Sequence, residues 1–508
     1  MDMNTQGLLL VLLIPLLFGH SEAVRVPIAL TARHRRQPRY QVLHVSPLPS
    51  KWQEVPRVAD SLGQSEKGVR KVDNSTTLIL RLTHRDSPLS PFANPKASPR
   101  ELLKNRLARD EARASAISVR TKLAARGIRA NDLVVESVNY TAREQGVVDF
   151  AGPLMSGLKQ GSGEYFIELG VGSPPRQTYM VIDTGSDIIW LQCTPCVDCY
   201  TQSGPIFDPA LSSSYESLAC TSPLCSMLEL HSCAAQTNSC LYQVAYGDGS
   251  FTQGDFVLEA LSFRGATMGG IAMGCGHDNE GLFASAAGLF GLGGGPLSFP
   301  SQLGNLLLRR VFSYCLMDRD ESGFSSLMFG SAAVPMNTQF TPLLKNPNLN
   351  TYYYVSLVGI SVGGSMLSIP PQAFRMDGNG GGGVIVDSGT SVTRLAEVAY
   401  GPLRSAFREA TPDLPFAGGF SLFDTCYNLS GQANVRVPLV SLHFEGGAEM
   451  ALPTSNYVIP VDTEGTYCLA FASAEIGAVS IIGNIQQQGF RIVFDGVSSR
   501  LGFAANQC

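Results

Sequence analysis

Two short runs of apolar, mostly β-branched residues organise the chain, because each run ends in an aspartate. Val181-Ile182 precedes Asp183, and Ile385-Val386 precedes Asp387. Such runs predict buried strands, and a carboxylate at the end of a buried strand is costly unless it is hydrogen-bonded or neutralised. Tight turns and hydroxyl donors are supplied by the residues that follow, Thr184-Gly185-Ser186 and Ser388-Gly389-Thr390. We therefore expect two turns that bring two carboxylates to one place.

An apolar-apolar-glycine element follows each aspartate motif, and a hairpin pattern lies between the first aspartate and its glycine element. Residues 241–250 predict a β-hairpin with Tyr246 and Gly247 beside its tip. At 287–293 apolar residues alternate with glycine, which predicts a close approach of two backbones. Residues 480–484 supply a second apolar-apolar-glycine element. The repeated order indicates an internal duplication.

The N-terminal segment, residues 24–149, contains little apolar material for a core of its own. It predicts one strand at 77–82 and one amphipathic helix around 99–125. It carries 23 Lys/Arg and 12 Asp/Glu, whereas residues 150–508 carry 14 and 28. We expect a propeptide that docks on the rest of the chain by charge attraction, and acid would weaken that attraction. Nucleic-acid binding is the alternative that a basic segment suggests.

The first residues resemble a secretory leader. The apolar run at 8–18 is too short to span a bilayer, and Ser21-Glu22-Ala23 resembles a cleavage site, so residues 1–23 are expected to be a signal peptide. A short membrane anchor is the alternative. A leader also argues against nucleic-acid binding by the N-terminal segment, and we expect no membrane anchor in the mature chain.

All 12 cysteines follow residue 190, which favours disulfides in a secreted protein. The run Cys193-x-x-Cys196-x-x-Cys199 also fits a zinc or redox site. Against zinc, this part of the chain offers only His231, His277 and His443 and no second C-x-x-C pair. We therefore expect disulfides and no metal. The 44% hydrophobic content and 52 glycines favour a sheet-rich globular protein.

Together these motifs resemble the pepsin-like aspartic proteases, and more narrowly the plant nepenthesin-type branch with its guard-cell members. The phrases that carry the narrower resemblance are Leu191-Gln192-Cys193, Gly274-Cys275-Gly276-His277-Asp278, Phe312-Ser313-Tyr314-Cys315-Leu316 and Ile482-Gly483-Asn484. The resemblance implies an all-β, two-lobed pepsin-like aspartic protease fold with a disulfide-rich insert in the N-terminal lobe. It places the N-terminal lobe at 150–340 and the C-terminal lobe at 341–508.

The resemblance also implies roles for the site residues. Asp183 and Asp387 would form the catalytic dyad, in which two close carboxylates share one proton and activate a water. Thr184 and Ser388 would lock the two turns together, Ser186 and Thr390 would bond the outer carboxylate oxygens, and Gly185 and Gly389 would support the turns. Tyr246 and Gly247 would belong to a flap over the substrate, with Trp190 bonded to the tyrosine. Asp187 is expected to be a structural cap.

Disulfides carried over from the same family would join six pairs: Cys193–Cys196, Cys199–Cys275, Cys220–Cys240, Cys225–Cys233, Cys315–Cys508 and Cys426–Cys468. Glycosylation acceptor sequences occur at Asn428, and at Asn74 and Asn139 in the N-terminal segment.

The sequence thus predicts a secreted aspartic endopeptidase, made as a zymogen and active at acidic pH without a cofactor. Its partners would be polypeptide substrates and its own propeptide, and the mature chain would be monomeric in the apoplast or the vacuole. The alternative is a non-catalytic pepsin-fold binding or inhibitor protein. Such proteins usually lack part of the dyad or flap, whereas this chain keeps Asp183, Asp387 and Tyr246.

Overall fold

The computed structural model describes residues 39–48, 69–72, 75–94, 96–128, 164–246, 250–263, 266–281, 283, 285–304, 310–317 and 325–508. The predicted signal peptide at 1–23, Asn74, Asn139 and Gly247 lie outside the described residues, as does the predicted boundary at 149/150.

The N-terminal segment contributes one long helix and several strands: β1 (Tyr40–His44), β2 (Val69–Val72), β3 (Ser75–His84) and α1 (Pro99–Ala125). A capping box starts the helix: the Ser98 hydroxyl accepts from the Glu101 amide at 3.3 Å, and Glu101 Oε2 accepts from the Ser98 amide at 2.8 Å. Pro99, at the first helical position, has a φ suited to the helix. The predicted strand at 77–82 and the predicted helix are both confirmed.

The rest of the chain is built mainly from strands. Its first half contains β4 (Tyr165–Val171), β5 (Arg176–Asp183), β6 (Trp190–Gln192), β7 (Glu216–Ser217), α2 (Pro223–Ser226), β8 (His231–Cys233), β9 (Cys240–Ala245), β10 (Phe251–Phe263), β11 (Ala266–Glu280), β12 (Gly288–Gly291), α3 (Phe299–Leu303), β13 (Val311–Cys315), β14 (Ser325–Phe329) and β15 (Gln339–Leu344).

The second half contains β16 (Tyr353–Val355), β17 (Leu357–Val362), β18 (Ser365–Met366), β19 (Val384–Val386), β20 (Thr393–Leu395), α4 (Glu397–Glu409), β21 (Phe416–Ala417), β22 (Cys426–Asn428), β23 (Asn434–Pro438), β24 (Val440–Phe444), β25 (Glu449–Ala451), β26 (Val458–Pro460), β27 (Thr466–Leu469), β28 (Phe471–Ser473), β29 (Ser480–Ile482), α5 (Asn484–Gln487), β30 (Phe490–Asp495) and β31 (Arg500–Ala505). The all-β expectation is confirmed.

The two halves share one strand arrangement around the two aspartates. In the first half, β5 pairs antiparallel with β4 and parallel with β12. In the second half, β19 pairs antiparallel with β16 and parallel with β29. Each aspartate therefore leaves its strand beside an apolar-apolar-glycine element, as the repeated sequence pattern predicts.

One antiparallel sheet joins the two halves and includes a strand from the N-terminal segment. Along this sheet β14 pairs with β13, β13 with β30, β30 with β31, and β31 with β15. Strand β3 extends it, because it pairs with β14 over residues 78–82 and with β4 over residues 82–84. The N-terminal segment is thus built into the central sheet.

The largest apolar cluster runs through both halves. Helix α4 shows how local pattern serves it: Ala399, Leu403 and Phe407 recur at a spacing of four, lie on one face and are fully buried. A second cluster lies in the cysteine-rich part and includes Trp190 and Tyr242. Among the described residues, no helix is both long and apolar enough to cross a bilayer.

Four of the six expected disulfide pairings are wrong. The structure replaces Cys193–Cys196 and Cys199–Cys275 by Cys193–Cys275 and Cys196–Cys199. Strand β6 lies parallel to β11, so Cys193, directly after β6, stands beside Cys275, and its amide donates to the Gly276 carbonyl at 2.8 Å. Cys196 and Cys199 then close their own short loop, with Cα atoms 6.1 Å apart.

The other two corrections follow burial. Cys225 and Cys240 are both fully buried in the second apolar cluster and pair with each other, whereas Cys220 pairs with the exposed Cys233. This replaces the expected Cys220–Cys240 and Cys225–Cys233. The pairings Cys315–Cys508 and Cys426–Cys468 are as expected, and all 12 cysteines are bonded.

Candidate active site

The two aspartates meet at the centre of the molecule. Asp183 ends β5 and Asp387 follows β19, and both are almost fully buried. The neighbouring parallel strands hold their backbones: the Leu292 amide donates to the Asp183 carbonyl at 2.8 Å, and the Asp387 amide donates to the Ile482 carbonyl at 3.2 Å. The repeated strand–aspartate–turn pattern therefore brings two carboxylates together from the two halves.

The two turns interlock through hydroxyl groups. The amide of Ser388 donates to Thr184 Oγ1 at 2.9 Å, and the amide of Thr184 donates to Ser388 Oγ at 3.3 Å. The Thr184 hydroxyl also lies 3.1 Å from Asp387 Oδ1. Because each turn supplies donors to the other, displacement of one carboxylate would strain both loops. This reciprocal geometry is what the resemblance implied for Thr184 and Ser388.

The outer carboxylate oxygens are treated differently in the two turns. Thr390 Oγ1 donates to Asp387 Oδ2 at 2.6 Å, as the resemblance implied. In the first turn the Gly185 amide donates to Asp183 Oδ1 at 2.8 Å. Among the described residues, the Ser186 hydroxyl makes no hydrogen bond to Asp183, and Asp183 Oδ2 accepts instead from Arg113 at 3.3 Å.

A buried arginine from helix α1 occupies the space between the carboxylates. Arg113 Nε and Nη2 donate to the two oxygens of Asp387 at 2.8 and 2.9 Å, and Nη2 lies 2.5 Å from Asp183 Oδ1. The side chains of Arg113, Asp183 and Asp387 are 9%, 4% and 1% exposed. Sequence reasoning predicted the basic helix but not this residue, which is one of several arginines there.

The glycines of the two turns make this approach possible. A Cβ atom at Gly185 would lie 2.6 Å from Arg113 Nη2, and one at Gly389 would overlap the same guanidinium. Any side chain here would therefore exclude whatever group stands between the carboxylates. The glycine of each D-x-G motif therefore allows the tight turn and also leaves room for a group to approach the carboxylates.

The pKa values of the pair are split. Burial, and after it the charge of Asp387, raise the pKa of Asp183 against the pull of Arg113. Burial also acts on Asp387, but Arg113 and the hydroxyl of Thr390 outweigh it and hold its pKa below the usual range. The two carboxylates keep the pKa of Arg113 well above its ordinary value despite burial. The arrangement is a cation held by two unequal carboxylates.

The hairpin tyrosine and the buried tryptophan meet as the resemblance implied. Trp190 Nε1 donates to Tyr246 Oη at 2.8 Å, and both rings pack on Phe283, with centroids 4.8 and 5.7 Å away. Tyr246 lies next to residues 247–249, which the structure does not describe. The bond ties the hairpin tyrosine to strand β6, which follows the first carboxylate turn in the chain.

Asp187 lies near the dyad but has its own partners. Its Oδ1 accepts from the Gly295 amide at 2.8 Å and its Oδ2 accepts from the Thr351 hydroxyl at 2.7 Å. Burial raises its pKa. These bonds tie two loops together, which matches the structural role expected for Asp187.

One buried group of three possible metal ligands occurs among the described residues: His84, Asp86 and Glu164. Two guanidinium groups already occupy it. Arg109 donates to the two oxygens of Glu164 at 3.0 and 3.1 Å, and Arg106 lies 3.9 Å from the same carboxylate. Cations would be repelled by these charges, so we interpret the group as an ion-pair cluster between the N-terminal segment and Glu164.

Comparison with known proteins identifies the class. The families described as "Xylanase inhibitor N-terminal" and "Xylanase inhibitor C-terminal" match residues 165–331 and 352–505. "Aspartyl protease family protein 2" of Arabidopsis thaliana is 52% identical over 85% of this chain and 86% of its own length. "Protein ASPARTIC PROTEASE IN GUARD CELL 2" of the same plant is 45% identical over 86% and 89%. "Aspartic proteinase nepenthesin-1" of Nepenthes gracilis is 42% identical over 68% and 79%.

Solved structures share the fold at low identity. The structure titled "Crystal structure of edgp" superposes with a TM-score of 0.56 at 18% identity, over 67% of this chain and 91% of that one. Basic 7S globulin from soybean gives 0.54 at 22% identity, over 67% and 92%.

The chain therefore belongs to the pepsin-like aspartic proteases, in the plant branch that includes the nepenthesins and the guard-cell proteases. It is a hydrolase of peptide bonds with the two-lobed fold of that class.

Proposed function

We propose that the chain is a secreted aspartic endopeptidase made as an inactive zymogen, with residues 24–149 as its inhibitory propeptide and residues 1–23 as its signal peptide. Asp183 and Asp387 are the proposed catalytic dyad. The observation that carries this proposal is the position of Arg113, whose guanidinium bonds to both carboxylates and fills the space between them.

Helix α1 is seated on the catalytic region along much of its length. Its apolar side buries Leu103 and Leu107 in a cluster with Val392 and Ile485, and Ile117 in a neighbouring cluster. Further polar contacts surround Arg113, and they join Arg106 to Ser391 and Asn484, Arg109 to Glu164, Arg120 to Glu229, and Lys122 to Glu475. Contacts before and after Arg113 therefore hold the helix over the dyad. A polypeptide substrate would have to displace the helix.

The exposed dyad has the geometry for acid–base chemistry on a peptide. One aspartate, ionised, would take a proton from a water placed where Arg113 now stands. The other, protonated, would donate a hydrogen bond to the scissile carbonyl. Addition of water gives a tetrahedral diol, and the proton then passes to the leaving nitrogen. Once Arg113 leaves, the pair shares one proton, because two close carboxylates cannot both ionise at low cost.

Acid would loosen the docked helix through the carboxylates that hold it. The pKa of Asp387 is lowered in the docked state, so its contribution to docking is complete above the ordinary aspartate pKa and is lost as the pH falls through the lowered value. Glu475 acts in the same direction: burial opposes, but Lys122 and Ser118 lower its pKa. Asp183 has a raised pKa in the docked state, so its protonation does not weaken docking. Acid release would therefore act through Asp387 and Glu475.

Secretion is proposed from the leader-like sequence at 1–23 and from the six disulfides, which form in oxidising compartments. Asn428 is the one glycosylation acceptor among the described residues, and it is exposed. We propose the apoplast as the destination, with the vacuole as the second possibility, and a monomeric mature enzyme that uses no cofactor.

The test is proteolysis of a denatured protein by the full chain from pH 2 to pH 8, with and without pepstatin. Wild type is compared with Asp183→Asn and Asp387→Asn, and processing is followed on gels. We expect acid-limited, pepstatin-sensitive cleavage in wild type, and its loss in both variants. A folded, fully processed chain that remains inert at every pH would overturn the proposal and favour a non-catalytic binding or inhibitor protein.

A further inference from the structure

We infer that the mature enzyme carries a carboxylate-binding subsite, formed by the backbone amides of Ser391 and Val392 with the guanidinium of Arg394, that selects substrates with an acidic residue close to the scissile bond. The inference rests on the proposed function and deepens it. In the zymogen this subsite is filled by Asp110 of helix α1.

The contacts to Asp110 come from two backbone amides and a neighbouring guanidinium. Its Oδ1 accepts from the amide of Ser391 at 2.5 Å and from the amide of Val392 at 3.1 Å. Its Oδ2 lies 2.8 Å from Arg394 Nη2, and the carboxylate is 0% exposed. The two amides converge on one carboxylate oxygen, and the guanidinium, which donates to Glu111, supplies positive charge beside the other oxygen. Every one of these donors belongs to the C-terminal lobe and would remain after the propeptide leaves.

Arg394 is buried in the zymogen, and helix α1 supplies its acidic partners. Its side chain is 6% exposed in the zymogen, and its acidic partners are Asp110 and, also at 2.8 Å, Glu111. Both partners lie on α1. When α1 departs, the arginine and the two amides lose these acceptors together and are uncovered. A carboxylate supplied by a substrate would restore bonds that are costly to leave unmade.

The distance from the dyad sets the position of the acidic residue. Ser391 directly follows Thr390, whose hydroxyl bonds to Asp387 at 2.6 Å. Asp110 precedes Arg113 by three residues and lies on the same helix face, which is a rise of about 4.5 Å. An extended substrate advances about 3.3 Å per residue. The subsite would therefore bind the side chain of a substrate residue that lies one or two positions from the scissile bond.

The experiment uses the full chain after activation in acid, and peptides that differ only by Glu or Gln at successive positions around one scissile bond. At pH 5 a substrate glutamate is mostly ionised. We expect a kcat/KM about tenfold higher for Glu than for Gln at one position within two residues of the cut. The same comparison at pH 3, where the glutamate is mostly neutral, should give a much smaller ratio.

Arg394→Gln should abolish the preference, so that Glu and Gln peptides are cut with equal kcat/KM by that variant, and Arg394→Lys should retain part of it. Arg394→Gln alone would leave the buried Asp110 carboxylate without its ion-pair partner in the zymogen. The double variant Asp110→Asn with Arg394→Gln removes both charges and is therefore tested as a second variant. Equal Glu and Gln rates in wild type, with dyad-dependent cleavage of both, would overturn the subsite and leave the proposed protease intact. A chain inert toward every peptide would overturn both.

Discussion

Replacement of Arg113 by methionine should turn on activity in the uncleaved chain. Arg113 makes four contacts of 2.5 to 3.3 Å to two carboxylates, and its side chain is 9% exposed. Removing one partner of a buried ion pair typically costs about 3–5 kcal/mol. Each 1.4 kcal/mol is a factor of ten, so the open population should rise by roughly two to four orders of magnitude. The lower end applies if the two carboxylates share a proton once the cation is gone.

The assay is hydrolysis of a fluorogenic peptide by the full chain at pH 5.5, measured before gels show any processing. Lys104→Met is the matched control, because it removes a positive charge from an exposed position on the same helix. Arg113→Lys should fall between wild type and Arg113→Met, since one ammonium cannot bridge both carboxylates as a guanidinium does. Each variant is repeated with Asp387→Asn to confirm that the dyad produces the signal.

Equal latency in Arg113→Met, Lys104→Met and wild type would refute this reasoning. It would mean that steric cover by the rest of α1, rather than neutralisation of the dyad by Arg113, keeps the proposed zymogen inactive. Activity that persists with Asp387→Asn would instead show that another enzyme produced the signal.

Three further outcomes are expected. Tyr246→Phe should lower kcat/KM by about tenfold, because a buried indole N–H loses its acceptor, whereas Tyr200→Phe should have little effect, since that hydroxyl makes no hydrogen bond among the described residues. Non-reducing peptide mapping should recover a Cys193–Cys275 link, and a Cys193–Cys196 link would contradict the structure. Glu475→Gln should weaken the acid dependence of fluorescent pepstatin binding to the uncleaved chain below about pH 4.5, because this carboxylate has a lowered pKa in the docked state; an unchanged pH profile would exclude that contribution.

Local sequence patterns predicted most of the fold and the centre of the site. Apolar β-branched runs before Asp183 and Asp387 predicted two strands ending in carboxylates, because strand burial and turn chemistry are encoded within a few neighbouring residues. The repeated apolar-apolar-glycine elements likewise predicted close backbone contact. In the structure, a Cβ atom at Gly291 would lie 2.4 Å from the backbone carbonyl oxygen of Asp187.

Long-range partners could not be read in the same way. The cysteine spacing left the pairing open, and the parallel alignment of β6 with β11 decides that Cys193 bonds to Cys275. Helix α1 was predicted from its pattern, but the choice of Arg113 over its neighbouring arginines depends on how the helix sits across two lobes. The carboxylate site for Asp110 is formed by backbone amides, which every sequence possesses.

Because β3 is part of the central sheet, cleavage of the chain after α1 would not by itself release the N-terminal segment from the dyad. A cut between residues 128 and 164 would break the chain but leave β3 hydrogen-bonded to β14 and β4 and α1 on the dyad. What the cut removes is the tether, which had held the segment at an effective concentration on the order of millimolar. A nicked zymogen would therefore be a two-chain complex whose activity rises on dilution, and a released segment could inhibit a second enzyme molecule in trans. Loss of β3 would also leave the edges of β14 and β4 with unpaired backbone groups. Another strand could then pair with them in the proposed mature enzyme.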